Sequence, residues 1–531
     1  MIKRTMFFTL IAVLFFLPCC KNTDGNLTIL RYGLINDSVS ESIVSLDTLS
    51  LDPLKPSNNV QGRGILFNIF EGLVKPDTQG GLCPCIAESW EIKQDGTEYH
   101  FKLREGVRFH DGTLLGTRDV LFSLNAARTA GFPGFEQIDR IEALGNSLVI
   151  ITLKEPDFEF LPFLAIGIVK AGNTRREKKV IGTGPYALEK YSVGKSLVLR
   201  RFADYWQWAG QDFKKPTNWN PEDDWNNSQK YVAVLDKINI EFINSYESLA
   251  YNLFLGKLDG ATLNNKWIQV LNPDAYDFNP CYSAAVQMLA MNNALEPLDD
   301  IAVRQAICYS IFVSDILDIV FYSRGKASAS PLTPGLKQYY NEDLAIYYYD
   351  PDKVRSMLSQ AGYGPGLKEF TLEISVRSDS DDDVDTAYVI ADALGKNGIN
   401  AVIKELEPKD WQLQVLQNRN FQAAVLSLDA FNVSPRSFLS RYVSESNDNF
   451  INYRSPDYDR ICAEALLEID EDKRIELYKQ AQKIIVEDAA SFYIQDILHF
   501  KTLKGWTYGG VLNYPLNVID FASMFKIQNY Y

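Results

Sequence analysis

Between residues 286 and 429 the chain switches repeatedly between a period of two and a period near 3.6, and this limits the possible folds more than any other feature. "VQMLAMNN" (286–293) reads as a strand. "LDDIAVRQAICYSIFVSDILDIVF" (298–321) reads as one helix with aspartates at its start, where the helix dipole favours negative charge. "EFTLEISVR" is a strand, "DTAYVIADALGKNG" a helix and "INAVIKELE" a strand. A helix through "DWQLQVLQN" and a strand "FQAAVLSLDA" follow. Strand and helix in turn mark an α/β domain. Two later helices, "SPDYDRICAEALLEI" and "EDKRIELYKQAQKIIVEDA", and short strand-like segments close the chain.

The earlier chain adds further sheets. "LTILRYGLI" (27–35) reads as a strand and "GRGILFNIFEGLV" (62–74) has helical spacing. In "TEYHFKLREGVRF", Tyr99, Phe101 and Leu103 point one way and His100, Lys102 and Arg104 the other, as in a half-buried strand. Asp111-Gly112 turns the chain, and Thr117 is expected to cap the next helix. "YALEKY" and "SLVLRRF" are strands around a Val193-Gly194 turn. Residues 207–231 are rich in Asn, Asp, Pro and Trp without a period, and are expected to form a long mobile loop. "LDKINIEFI" then resumes the sheet.

The 531 residues exceed what one hydrophobic core of about 250–300 residues accommodates, so two or three domains are expected. A net charge of −15 argues against nucleic acid or anionic lipid as a partner. Past residue 20 there are Cys83, Cys85, Cys281, Cys308 and Cys462, too few for a disulfide scaffold. "CPC" at 83–85 is not CxxC, and no second cluster completes a metal site. The chain has three histidines and neither HExxH nor GxSxG, so no zinc hydrolase or α/β-hydrolase is visible. In "SDSDDDVD" the aspartates alternate, but Val384 and Ile390 stand where a calcium loop needs Gly and Glu. No metal and no cofactor is expected.

Lys3 and Arg4 precede twelve nearly all apolar residues, Met6 to Leu17, and then Pro18-Cys19-Cys20. The run suits a signal peptide and falls short of the ~20 residues that a membrane-spanning helix needs. It resembles a bacterial lipoprotein signal. Leu17 lies three residues before Cys20, and Cys19 has Pro18 directly before it, so Cys20 is the expected lipidation site. "KNTDGN" reads as a tether.

Several stretches, in order, resemble the family 5 extracellular solute-binding proteins of ABC transporters, the oligopeptide, dipeptide and nickel binders. "YHFKLREGVRFHDG" (99–112) matches their F-x-L-R-x-G-V-x-F-H-D-G signature, and "GTGPYALEKYSVGKSLVLRRFADYW" (182–206) matches G-T-G-P-Y/F, a strand pair and D-Y-W. "LDKINIEFI", "LFLGKLDGA" and "LDDIAVRQAICYSI" follow in the expected order. His110, Asp111, Gly182, Gly184 and Pro185 read as fold residues: a turn and a crossing that bulkier residues would block. The resemblance implies an α/β, two-lobe, periplasmic-binding-protein-like fold with an extra subdomain in the first lobe and a hinge between lobes. It implies a signal peptide at 1–19 and a tether at 20–26. Lobe I takes 27–61, 182–283 and 497–531, its inserted subdomain 62–181, and lobe II 284–496.

It also implies a binding protein rather than an enzyme, working as a monomer with the permease subunits of an ABC importer. The location is the extracytoplasmic face of the cell envelope, held to the membrane by the lipid anchor. The expected ligand is a peptide or other small solute. In the oligopeptide binders an aspartate of lobe II pairs with the peptide's α-amine. Aligning on Pro435 puts Phe431 at that position, Asn432 at a tyrosine and Leu428 at a tryptophan. Asp429 lies one strand period earlier, on the same face, and is the available carboxylate. Arg436 either pairs with a ligand carboxylate or faces solvent. Asn292 occupies a usual cleft-facing place, and Trp411 either lines the cleft or, the favoured reading, packs its helix. The altered 428–432 stretch and Trp206, Trp208, Trp219 and Trp225 keep a sugar oligomer or metal chelate open as ligand.

Overall fold

The computed structural model describes residues 27–35, 53, 64–77, 81–93, 96–172, 180–208, 235–344, 347–429, 432–505, 507–508 and 519–526. The signal segment, the tether with Cys20, Phe431, and the expected loop from residue 209 onward (with Trp219 and Trp225) lie outside the described residues.

An eleven-stranded sheet runs through the molecule. Its order is Asn400–Leu406, Thr371–Arg377, Ala423–Asp429, Tyr276–Met291, Ser491–Lys504, Gly260–Leu263, Ile29–Ile35, Lys237–Ile243, Ser196–Arg201 and Tyr186–Ser192, with Lys326–Ala327 added beside Ser491–Lys504. The long pair Tyr276–Met291 and Ser491–Lys504 joins the two halves. One end of it carries the lobe I strand Gly260–Leu263, and the other carries the lobe II strand Ala423–Asp429. Its ladder breaks between Tyr282 and Val286. A separate four-stranded antiparallel sheet, Ala87–Lys93, Glu98–Leu103, Leu148–Leu153 and Ile138–Leu144, forms the inserted subdomain. The fold is therefore a two-lobe α/β architecture.

Strand periodicity explains the cores. Along "AAVL", Ala423 and Val425 face one lobe II core, while Ala424 and Leu426 face the other. A strand buried on both faces carries this continuous apolar run. In the subdomain Tyr99, Phe101 and Leu103 are buried as the alternation requires, and pack with Val120, Leu124 and Ile151. Helix Asp381–Lys396 begins with the acidic run, which lies at its positive end. Among the described residues no helix is long and apolar enough to cross a membrane.

Three local expectations need correcting. The helix expected over 298–321 is two helices, Ile301–Ser310 and Val313–Ile319, with extended backbone at Ile311 and Phe312 between them. Helix Thr117–Thr129 is capped at Gly116, whose N–H donates to Asp119 Oδ2 at 2.9 Å, while Thr117 is its first helical residue. In the expected helix 62–74, residues 64–66 are helical, 67–69 form a turn, and Val74 begins a strand.

Candidate functional site

In open α/β sheets, ligands bind beyond the carboxyl ends of parallel strands. In lobe II, Thr371–Arg377 runs parallel to both neighbours. In lobe I, Ile29–Ile35 runs parallel to Lys237–Ile243 and Gly260–Leu263. Lobe I strand Gly260–Leu263 leads into Asn264, which caps the short helix bearing Lys266 and Trp267. Lobe II strand Thr371–Arg377 leads into Asp379, which holds Arg377 by two bonds of 2.9 and 2.8 Å, and then into Asp381–Asp383. Burial and the carboxylates of Asp383, Asp381 and Asp385 push Asp382 up to about 6, and Lys266 of lobe I pulls it back.

The crossing strand pair bonds to this helix start. Gln287 Nε2 donates to Asp383 Oδ1 at 2.8 Å, and Gln495 Nε2 donates to Gln287 Oε1 at 3.0 Å. Beside them Asp496 pairs in register with Val286, at the break in the ladder. Thr333 Oγ1 donates to its Oδ2 at 3.0 Å, and Oδ1 is buried without a hydrogen-bond partner. Burial pushes the Asp496 carboxyl up to about 8. Sequence reasoning missed Asp496 and Gln287. The available signal was a lone acid inside the apolar strand "SFYIQDILHF".

The expected site residues separate. The backbone of Asp429 closes the ladder of Ala423–Asp429 opposite Ala285, at the lobe junction. Asn432 is buried, and its Oδ1 accepts from Ser434 N at 2.9 Å and from Ser437 Oγ. Asn292 is 1% exposed rather than open to the cleft. Its Nδ2 donates to the carbonyls of Arg419 and Phe421 at 3.1 and 3.0 Å, and its Oδ1 accepts from Asn452 Nδ2 at 3.0 Å. It braces a corner where a strand ends. Trp411 packs in the lobe II core with Val415 and Phe421. Arg436 is half-buried, and its Nη1 donates to Asp157 Oδ2 at 2.6 Å.

The signature residues are structural. His110 bonds the backbone of both Gly182 and Gly184. Against its burial, Lys170 and Thr113 hold Asp111 down at about 2. A Cβ on Gly182 would lie 1.9 Å from the carbonyl oxygen of Ile69. Cys85 of "CPC" is buried, and its thiol donates to Glu71, which also accepts from Tyr205 and Trp206. Trp206 and Trp208 pack with Tyr205 in a small cluster. Among the described residues no three His, Cys, Asp or Glu side chains are grouped to hold a metal ion.

Two α/β lobes with parallel strands, joined by one strand pair whose register shifts at the junction, have the architecture of a two-lobe solute-binding fold. Residues 81–450 match the family described as bacterial extracellular solute-binding proteins, family 5 Middle, and the chain belongs to that family. It is 26% identical over 486 residues to the dipeptide-binding protein of Escherichia coli (strain K12), covering 83% of this chain and 86% of that one. It is 25% identical over 456 residues to heme-binding protein A of Haemophilus influenzae, covering 76% and 77%. The solved ABC transporter substrate-binding protein CtaP of Listeria monocytogenes superposes with a TM-score of 0.78 at 20% identity, covering 94% of this chain and 99% of that one. The chain is thus an extracytoplasmic solute-binding protein by family.

Proposed function

We propose that this protein captures peptides in the cleft and delivers them to the permease of an ABC importer. The observation that carries this reading is the position of Asp429 at the last rung of its strand, opposite Ala285 beside the break in the crossing ladder. A carboxylate on that rung can meet the α-amine of a peptide lying along the hinge, and charge-assisted bonds of this kind are strong. Phe431, two residues further along the sequence, would pack against the first peptide side chain. Asn292 and Trp411 support the lobe II wall from behind it. Cys20 carries the lipid, and residues 20–26 give the lobes reach from the membrane.

A non-peptide ligand such as a sugar oligomer or metal chelate is the second reading. Phe431 at the expected aspartate position favours it, as does the similarity to a heme-binding protein. Mass spectrometry of ligand extracted from the purified protein tests the choice. Short peptides are expected, and a porphyrin, a metal chelate or a sugar as the sole extracted species would overturn the peptide reading.

A further inference from the structure

The segment between strand Leu148–Leu153 and the turn Leu161–Leu164 of the subdomain carries two acids that are almost fully buried, Asp157 at 4% and Glu159 at 3% exposure. The segment is shaped from its own side: Glu159 N donates to Asp157 Oδ1 at 2.9 Å, and the Tyr99 hydroxyl donates to the Asp157 carbonyl. The Glu159 carboxylate and Asp157 Oδ2 face the other way. Glu159 Oε1 accepts from Arg474 Nε at 2.9 Å and from the Tyr339 hydroxyl at 3.1 Å, and its Oε2 accepts from Ser434 Oγ at 3.0 Å. Asp157 Oδ2 accepts from Arg436 Nη1 at 2.6 Å. The Arg436 guanidinium also lies 5.8 Å from the centre of the Phe163 ring. Among the described residues, every donor to the Glu159 carboxylate belongs to lobe II.

The subdomain is fastened to lobe I, through His110 to Gly182 and Gly184. Lobe II is joined to lobe I in the sheet by the crossing strand pair, whose ladder is broken at the hinge. The Asp157 and Glu159 contacts therefore span the boundary that opens when the lobes separate. A buried carboxylate is costly unless it is paired and hydrogen-bonded. Glu159 has its carboxylate donors, and Asp157 its cationic one, only when the lobes are together. Four bonds from three separate stretches of lobe II (Tyr339, Ser434 to Arg436, and Arg474) can all form only in one relative position of the lobes.

Building on the solute-capture reading, we propose that Glu159 and Asp157 are positioning residues. They lock the subdomain onto lobe II as the cleft closes, and so set how long a ligand is held without touching it. Arg436 serves this lock rather than a ligand carboxylate.

The test uses the full mature protein, stripped of ligand by unfolding and refolding, as wild type, Glu159→Gln, Arg474→Gln and the double variant. Small-angle scattering reports lobe separation without any ligand. Release of the probe peptide trialanine, by stopped-flow, reports residence time. Wild type should populate a compact form. Each single variant should shift toward a larger radius of gyration and release trialanine about tenfold faster or more, because one buried charge loses its partner. The double variant should lie closer to wild type than Arg474→Gln does, because no unpaired charge remains. Unchanged scattering and release in single variants of normal melting temperature would overturn the lock. So would wild-type scattering that fits only separated lobes. If a single variant fails to fold, Ser434→Ala with Tyr339→Phe removes two neutral donors and is judged on the same two readouts. If wild type does not bind trialanine, the peptide reading loses support and the scattering series still decides the lock.

Discussion

His110 Nδ1 accepts the backbone N–H of Gly182 at 3.2 Å, while its Nε2 faces the Gly184 carbonyl at 3.0 Å. The two contacts fix the tautomer. A ring nitrogen that receives an N–H carries no proton, so Nε2 holds it and donates to Gly184. The ring also stands edge-on to Phe202 at 5.0 Å. One neutral imidazole thus joins the "FHDG" turn to the "GTGP" crossing.

That neutrality makes stability depend on pH. Burial lowers the His110 pKa to about 4. Above about pH 6.5 the ring is neutral both folded and unfolded, and contributes no pH dependence. As the pH falls from about 6.5 to 4, the unfolded chain takes up a proton that the folded ring refuses, so stability drops. Because the ring is only half-buried, a loss of roughly 2 kcal/mol is expected rather than the full linkage value. Urea unfolding at pH 7.5, 5.5 and 4.5 measures it. His110→Asn should make this part of the profile shallower, with buried His499 keeping its own share, and an identical slope in both proteins would count against the assignment.

Gly182→Ala should be severely destabilising. The added Cβ would lie 1.9 Å from the Ile69 carbonyl oxygen, and backbone there has no room to yield. A loss of about 3 kcal/mol or more is expected, the range of a forced core clash. Gly395 supplies the control, because it lies inside a helix with nothing within 4 Å of its Cβ position. Gly395→Ala should stabilise by ~0.5–1 kcal/mol. Equal melting temperatures for the two variants would refute the packing argument.

Some of this was legible from sequence and some was not. Tyr99, Phe101 and Leu103 announce their buried face within six residues, and the structure buries them. Likewise "FQAAVLSLDA" announces a strand, which the structure covers on both faces. The break at Ile311–Phe312 was hidden, because apolar spacing runs unbroken through it while Phe312 is turned out to solvent. Asn292 was expected in the cleft, but its amide bonds to residues more than a hundred positions away. The lock was invisible for the same reason: Glu159 lies 275 residues from Ser434 and 315 from Arg474. No local period encodes such a pairing.

Asp429→Asn should weaken binding of a peptide with a free α-amine by about 100-fold or more, since a buried charge that loses its partner typically costs ~3–5 kcal/mol. The melting temperature of the ligand-free protein should change little. N-acetylating the peptide should cause a similar loss in wild type and little further loss in the variant. Calorimetry on the four combinations checks the pair. Strictly additive losses would remove Asp429 from the site.

Cys20→Ser should release the protein from membranes and leave a longer precursor. Fractionation and intact-mass measurement check both. If Cys19→Ser has this effect and Cys20→Ser does not, the lipid sits one residue earlier.

The lobe I sheet has a consequence for the order in which the molecule can be made. Strand Gly260–Leu263 takes its outer partner from Phe500–Leu503. The lobe I core holding Leu30 and Tyr32 also needs Leu503, Ile519, Phe521 and Met524. Asn68 receives the Phe521 N–H across 453 residues of sequence. While the ribosome is still synthesising lobe II, lobe I lacks a strand and part of its core, and contacts this distant form slowly. Lobe I therefore stays incomplete until residues 500–524 appear, and an incomplete lobe is one that can still be threaded through a membrane.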